Sequence, residues 1–149
     1  MNSTTAMRPL NSLQSIVFAL GGLLMVAGVA LPFFGQAMIG AWMFLIGAIC
    51  FGVMQMMQCY EGNSVTIRRL RRIMMLADVL FILAGVLMVE QQCHFALPLF
   101  EKNGITGLNV YTQYIVHNNW VLVLFLAAVF ELYSMHRISH ELARDEKKS

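Results

Sequence analysis

Asp78 and Glu131 are the only acidic residues set well inside long apolar stretches of this 149-residue chain. Each is six residues from an arginine: Asp78 follows Arg72, and Glu131 precedes Arg137. A helix rises about 1.5 Å per residue, so both carboxylates lie about 9 Å from one membrane boundary, on two different helices. A carboxylate in that position has two chemical uses. It can hold a proton or a cation, because ionisable groups within a membrane face a cavity or a partner. It can also neutralise a nearby arginine or extend to the interface. The arginines are one to two turns away and neither acid is at mid-membrane depth. Pairing with arginine is therefore the first expectation and an ion site the second. Asp78 shares a seven-residue stripe with Arg71 and Gly85, and Glu131 shares a face with Ala127 and Ala128. These small-residue faces should point inward.

The other reactive side chains are sparse. His136 and His140 have the i,i+4 spacing of a metal pair, but no further His or Cys completes a site, so they read as exposed tail residues. Cys93-His94 with His117 is an equally thin set. No His falls within an apolar stretch, so a haem held between helices would lack axial ligands. There is no Cys-x-x-Cys for thiol redox chemistry. His-Glu-x-x-His, Gly-x-Ser-x-Gly and phosphate-loop motifs are also missing. An enzyme is disfavoured, and no metal or cofactor is expected. Cys50 falls inside the second apolar stretch, Cys59 at its inner end and Cys93 on the outer side, which argues against a disulfide between Cys93 and either of the others.

The elements that carry these residues follow from composition. Hydrophobic side chains make up 58% of the chain and charged ones 12%, outside the range of an ordinary soluble domain. Four stretches, 13–34, 39–57, 73–89 and 119–135, approach the roughly 20 residues needed to cross a bilayer. Lipid offers no partner to backbone N–H and C=O groups, so each must be helical. The expected fold is all-α: an integral membrane four-helix bundle forming a single domain. The sequence at 35–37 resembles a signal-cleavage site, but the preceding apolar run is too long and a retained first helix is expected.

Charge sets the expected topology. Nine of the ten Lys and Arg residues fall on one side if the chain starts inside. Only Lys102 lies on the other. The positive-inside rule then places both termini in the cytoplasm. Arg68, Arg69, Arg71 and Arg72 are read as topology anchors and contacts for anionic lipid head groups rather than for nucleic acid. Trp42 and Trp120 each sit near the outer start of a helix and read as interfacial aromatics. Asn63-Ser64 can cap a helix that starts near Val65 and runs into the third span.

Gly21, Gly28, Gly40 and Gly47 recur at seven-residue spacing within the first two helices, which invites close backbone approach. Ala27-Gly28-Val29 is echoed by Ala84-Gly85-Val86, as two tandem hairpins would produce. The segment 90–118 is the largest extramembrane piece and carries enough apolar side chains to fold as a cap on the outer face. Its stretch 110–116 reads as a strand or a short interfacial helix. Residues 136–149 form a cytoplasmic tail, expected to extend the last helix.

Tyr60-Glu61-Gly62, Ile67-Arg68-Arg69-Leu70-Arg71-Arg72, and Glu131-Leu132-Tyr133 with Arg137-Ile138 carry a resemblance. The chain resembles an uncharacterised family of small four-helix bacterial inner-membrane proteins with a similar cytoplasmic loop. The segment 90–118 is longer than that pattern. The resemblance implies a fold and a membrane, and it carries over no catalytic role. The expected function is non-enzymatic: an accessory or scaffold subunit acting through lipids, other membrane subunits or its own copies. The alternative is a small oligomeric transporter or ion-coupled carrier using Asp78 and Glu131.

Overall fold

The computed structural model describes residues 11–58 and 64–148. The loop motif Tyr60-Glu61-Gly62, Arg8 and Cys59 lie outside them. Helix α1 runs Ser12–Ala30 and passes into a 3-10 turn, Leu31–Phe34. Then come α2 (Ala37–Met57), α3 (Val65–Cys93), α4 (Leu97–Glu101), α5 (Gly104–Tyr111), a π turn (Thr112–Val116) and α6 (Asn119–Lys148). Helices α1 with its turn, α2, α3 and α6 are each long and apolar enough to cross a membrane, as in a multi-pass membrane protein. At 29 and 30 residues, α3 and α6 outrun their apolar stretches, because each continues into charged sequence without a breaker. Ser64 starts α3, its hydroxyl accepting from the Ile67 amide at 3.5 Å.

The long helices pack in a row. Helix α1 packs on α2, α2 on α3, and α3 on α6, while α1 and α6 make no backbone approach. The bundle is therefore open along one flank. The α1–α2 hairpin is held by two facing glycine pairs. A methyl on Gly28 would lie 2.7 Å from the Gly40 carbonyl oxygen, and one on Gly47 would lie 2.7 Å from that of Gly21. Only hydrogen fits at that separation, so the two backbones pack directly. Gly35, at φ 80°, turns the chain between them. The two echoed glycines meet one residue from opposite sides. Phe44, 1% exposed, lies between Gly28 of α1 and Gly85 of α3.

Two apolar cores result. One joins Met25, Phe44, Ala48, Phe81, Ala84 and Ala127 across all four helices. The other joins Ile67, Leu70 and Met74 of α3 to Ile138 of α6, near the arginine-bearing end.

At the opposite end, the connection between α3 and α6 is helical throughout its middle. The β-branched and aromatic run 110–116 lies in the end of α5 and the π turn, not in a strand. It has no neighbouring strand to pair with, so its β preference finds no expression. Buried Glu90 ties this segment to α3. Its carboxylate accepts from the Tyr111 hydroxyl at 2.6 Å and from the Ala96 amide at 3.0 and 3.1 Å. His94 Nδ1 stands 3.0 Å from the same hydroxyl. Burial, then donation to Glu90, pushes the Tyr111 hydroxyl well above the ordinary tyrosine range, so it remains a donor. Asn119 Nδ2 donates to the Gln113 and Tyr114 carbonyls at 2.9 and 2.7 Å and holds the start of α6.

The glycine pairs carry a test. Gly28→Leu should destabilise the chain by about 1–3 kcal/mol, the range for overpacking a close contact. Gly22→Ala should be near neutral, since its methyl would stand 3.8 Å from the Phe51 ring. Unfolding midpoints in mixed detergent–SDS micelles measure both. Equal midpoints for the two variants would refute direct backbone packing.

Candidate functional site

Between the two apolar cores lies a polar seam. On α3, Asp78 separates Met74 from Phe81; on α6, Glu131 and Ser134 separate Ala127 from Ile138. Helix α2 adds Gln55 one turn beyond Gly52. That glycine lets α2 come close to Asp78: a methyl there would stand 3.4 Å from the Asp78 Cβ. All four polar residues are buried: Gln55 is 2% exposed, Asp78 1%, Glu131 6% and Ser134 0%.

Gln55 links the seam. Its Nε2 donates to Glu131 Oε1 at 2.6 Å, and its main-chain oxygen accepts from Arg71 Nη2 at 3.3 Å. That oxygen belongs to the last turn of α2, where carbonyls lack helical partners and attract a cation. Five oxygens in the seam are buried without a hydrogen-bond partner: Asp78 Oδ1 and Oδ2, Glu131 Oε2, Gln55 Oε1 and Ser134 Oγ. An unsatisfied buried polar atom costs about 1–3 kcal/mol, and a charged one more. Such a set calls for a positive or proton-donating partner. Oxygen donors of this kind suit hard cations, not soft metals.

A groove runs beside the seam, in the open flank between α1 and α6. It holds about 390 Å³ and is walled by apolar side chains. Phe44, Phe51 and Phe81 form part of its lining, and Glu131 is the one charged residue there.

The structure places the sequence-selected residues unevenly. Asp78 and Glu131 come together in the seam, on faces that turn inward with Gly85 and Ala127. The expected arginine partner is replaced for Glu131 Oε1 by an amide, because Gln55 on α2 reaches it across the bundle. Arg71 is half-buried and turned to α2, while Arg68, Arg69 and Arg72 are exposed on the first turns of α3. The two tryptophans differ: Trp42 is 47% exposed, whereas Trp120 packs against the larger core. His117, His136 and His140 are exposed. Among the described residues, no three His, Cys, Asp or Glu side chains converge. Cys50 is half-buried and Cys93 exposed, both as free thiols.

Gln55 and Ser134 are not marked by charge. Gln55 is the only amide or charged side chain in the apolar run 39–57, and Ser134 sits one turn beyond Glu131. A lone amide in an otherwise apolar span was the available signal. No family model matches the chain, and no curated protein or solved structure is similar to it.

Removing the Gln55 amide should leave Glu131 Oε1 with no donor. Gln55→Ala is expected to cost about 1–3 kcal/mol in unfolding free energy. Pairing it with Glu131→Leu should recover much of that loss, since removing both partners leaves no orphan. A double-mutant cycle in micelles measures the coupling. Strict additivity would mean the contact does not hold the seam.

Proposed function

We propose that the chain is a non-enzymatic membrane protein that binds a small cation, a proton or Na⁺, in the seam. It works with other copies or subunits, as a small ion-coupled carrier. The observation that carries this reading is the set of five buried, unpartnered oxygens around Asp78 and Glu131. Two carboxylates buried in the seam concentrate negative charge there when both are ionised. A bound cation or proton removes that excess at low cost, whereas an uncompensated buried charge is expensive. A purely scaffolding role gives these groups no use. The flank left open between α1 and α6 supports assembly with further chains, because four helices packed in a row enclose no pathway.

In this reading the arginine-bearing end faces the cytoplasm of a bacterial inner membrane. Arg68, Arg69 and Arg72 then meet anionic head groups, and residues 90–118 cap the outer side.

Purified full-length protein in lipid nanodiscs tests the ion reading. Its unfolding midpoint is followed against Na⁺ at constant ionic strength, with choline as the balancing ion, and separately against pH. A ligand at a hundred times its Kd adds about 2.7 kcal/mol to stability. The midpoint should rise with Na⁺ if the occupant is a metal cation, or on mild acidification alone if it is the proton. Asp78→Asn and Glu131→Gln should flatten whichever response appears. A wild-type midpoint indifferent to both ligands would dismiss the proposal.

Orientation is tested at Cys93, which is exposed at the end of α3. A membrane-impermeant maleimide added to intact bacterial cells should label it. Labelling only after lysis would invert the topology.

A further inference from the structure

We propose that Asp78 carries the proton of the seam, while Gln55 keeps Glu131 ionised beside it. This rests on the small-ion reading of the seam; it names the ion as a proton and its carrier as one residue. The two acids differ in their donors. Glu131 Oε1 accepts from the Gln55 amide at 2.6 Å, whereas neither oxygen of Asp78 has a hydrogen-bond partner. A hydrogen bond is stronger when its acceptor is ionised, so the amide favours the charged form of Glu131. Asp78 is 1% exposed and has no such compensation. A carboxyl group buried without a donor neutralises rather than bear the cost of an isolated charge. The proton also turns one Asp78 oxygen into a donor, in a seam where Glu131 Oε2 and Gln55 Oε1 can only accept.

The surroundings suit a proton better than a metal ion. Gln55 turns its NH2, the positive end of the amide, toward Glu131. Its main-chain oxygen already accepts from the Arg71 guanidinium, so a cation stands at that end of α2. A hard metal ion takes about six oxygens, and the carbonyls within α3 and α6 are engaged in helical bonds. Gly52 brings α2 close to Asp78, a methyl there standing 3.4 Å from the Asp78 Cβ, which leaves little room for a coordination shell. A proton needs none. The neighbouring elements bring few other ionisable groups. Helix α1 carries none and α2 only Cys50. On α6, Tyr133, His136 and Arg137 are exposed. The proton in the seam is therefore placed on Asp78 or on Glu131, and the Gln55 amide decides between them.

Isotope-edited infrared spectroscopy of the purified full-length chain in lipid nanodiscs, at neutral pH, tests this. The protein is made with either aspartate or glutamate carrying heavy carbon at the side-chain carboxyl. A protonated-carboxyl C=O band should move with the aspartate label, shift in heavy water and disappear in Asp78→Asn. Asp145, the only other aspartate, is exposed in the tail, and Asp145→Asn should leave the band unchanged. If Asp78→Asn fails to fold, the aspartate label in the Asp145→Asn protein assigns the band by itself. Gln55→Leu takes the donor from Glu131 and should pass part of the band to the glutamate label. A wild-type band that follows glutamate, or one that Gln55→Leu leaves wholly on aspartate, would overturn the inference. No wild-type band, with an unfolding midpoint that rises with Na⁺, would overturn it too and spare the small-ion reading. No band together with a midpoint indifferent to Na⁺ and to pH would remove both.

Discussion

The cost of burying charge between apolar cores governs how this molecule is arranged. Asp78 and Glu131 sit where water does not reach and lipid offers no donor. The surrounding helices answer only part of that cost. Helix α2 brings an amide to Glu131, and Gly52 lets it come close enough to do so. Helix α3 brings the Arg71 guanidinium to the carbonyl end of α2, about two turns before Asp78. Helix α6 sets Ser134 beside Glu131 on the same buried face. These groups leave part of the oxygen surface unsatisfied.

Close packing elsewhere makes such a seam tolerable. The facing glycines of α1 and α2 bring backbones together where no hydrophobic effect acts between helices in lipid. Phe44 is gripped by Gly28 on one side and Gly85 on the other, which aligns α1, α2 and α3 around one side chain. The same economy leaves α1 attached to α2 alone. The open flank and its groove follow from that single attachment.

The far end of the molecule uses a different device. There Glu90, Tyr111 and the Ala96 amide form a compact buried network that folds residues 90–118 back on α3. Both oxygens of this carboxylate accept from a donor, in contrast to Asp78. The two ends thus spend buried acids differently: one to hold a connection in place, the other with oxygens left unpaired.

Much of this was legible in one dimension. Apolar run length and the absence of backbone partners in lipid dictate four long helices, and glycine spacing marks the tight hairpin. Asp78 and Glu131 stand out because charge inside such runs is rare. What the chain alone did not decide is who meets whom. Gln55 carries no charge, so nothing in its local sequence links it to an acid 76 positions away. Trp42 and Trp120 look equivalent by position, yet one faces outward and the other joins the core. The helical state of 110–116 is likewise a tertiary outcome, set by the anchoring of Tyr111 and not by residue preference. Local periodicity determines which face of a helix is apolar; only the packing of helices against one another determines which polar atoms end up opposite, because that choice depends on rotations and offsets that no single segment encodes.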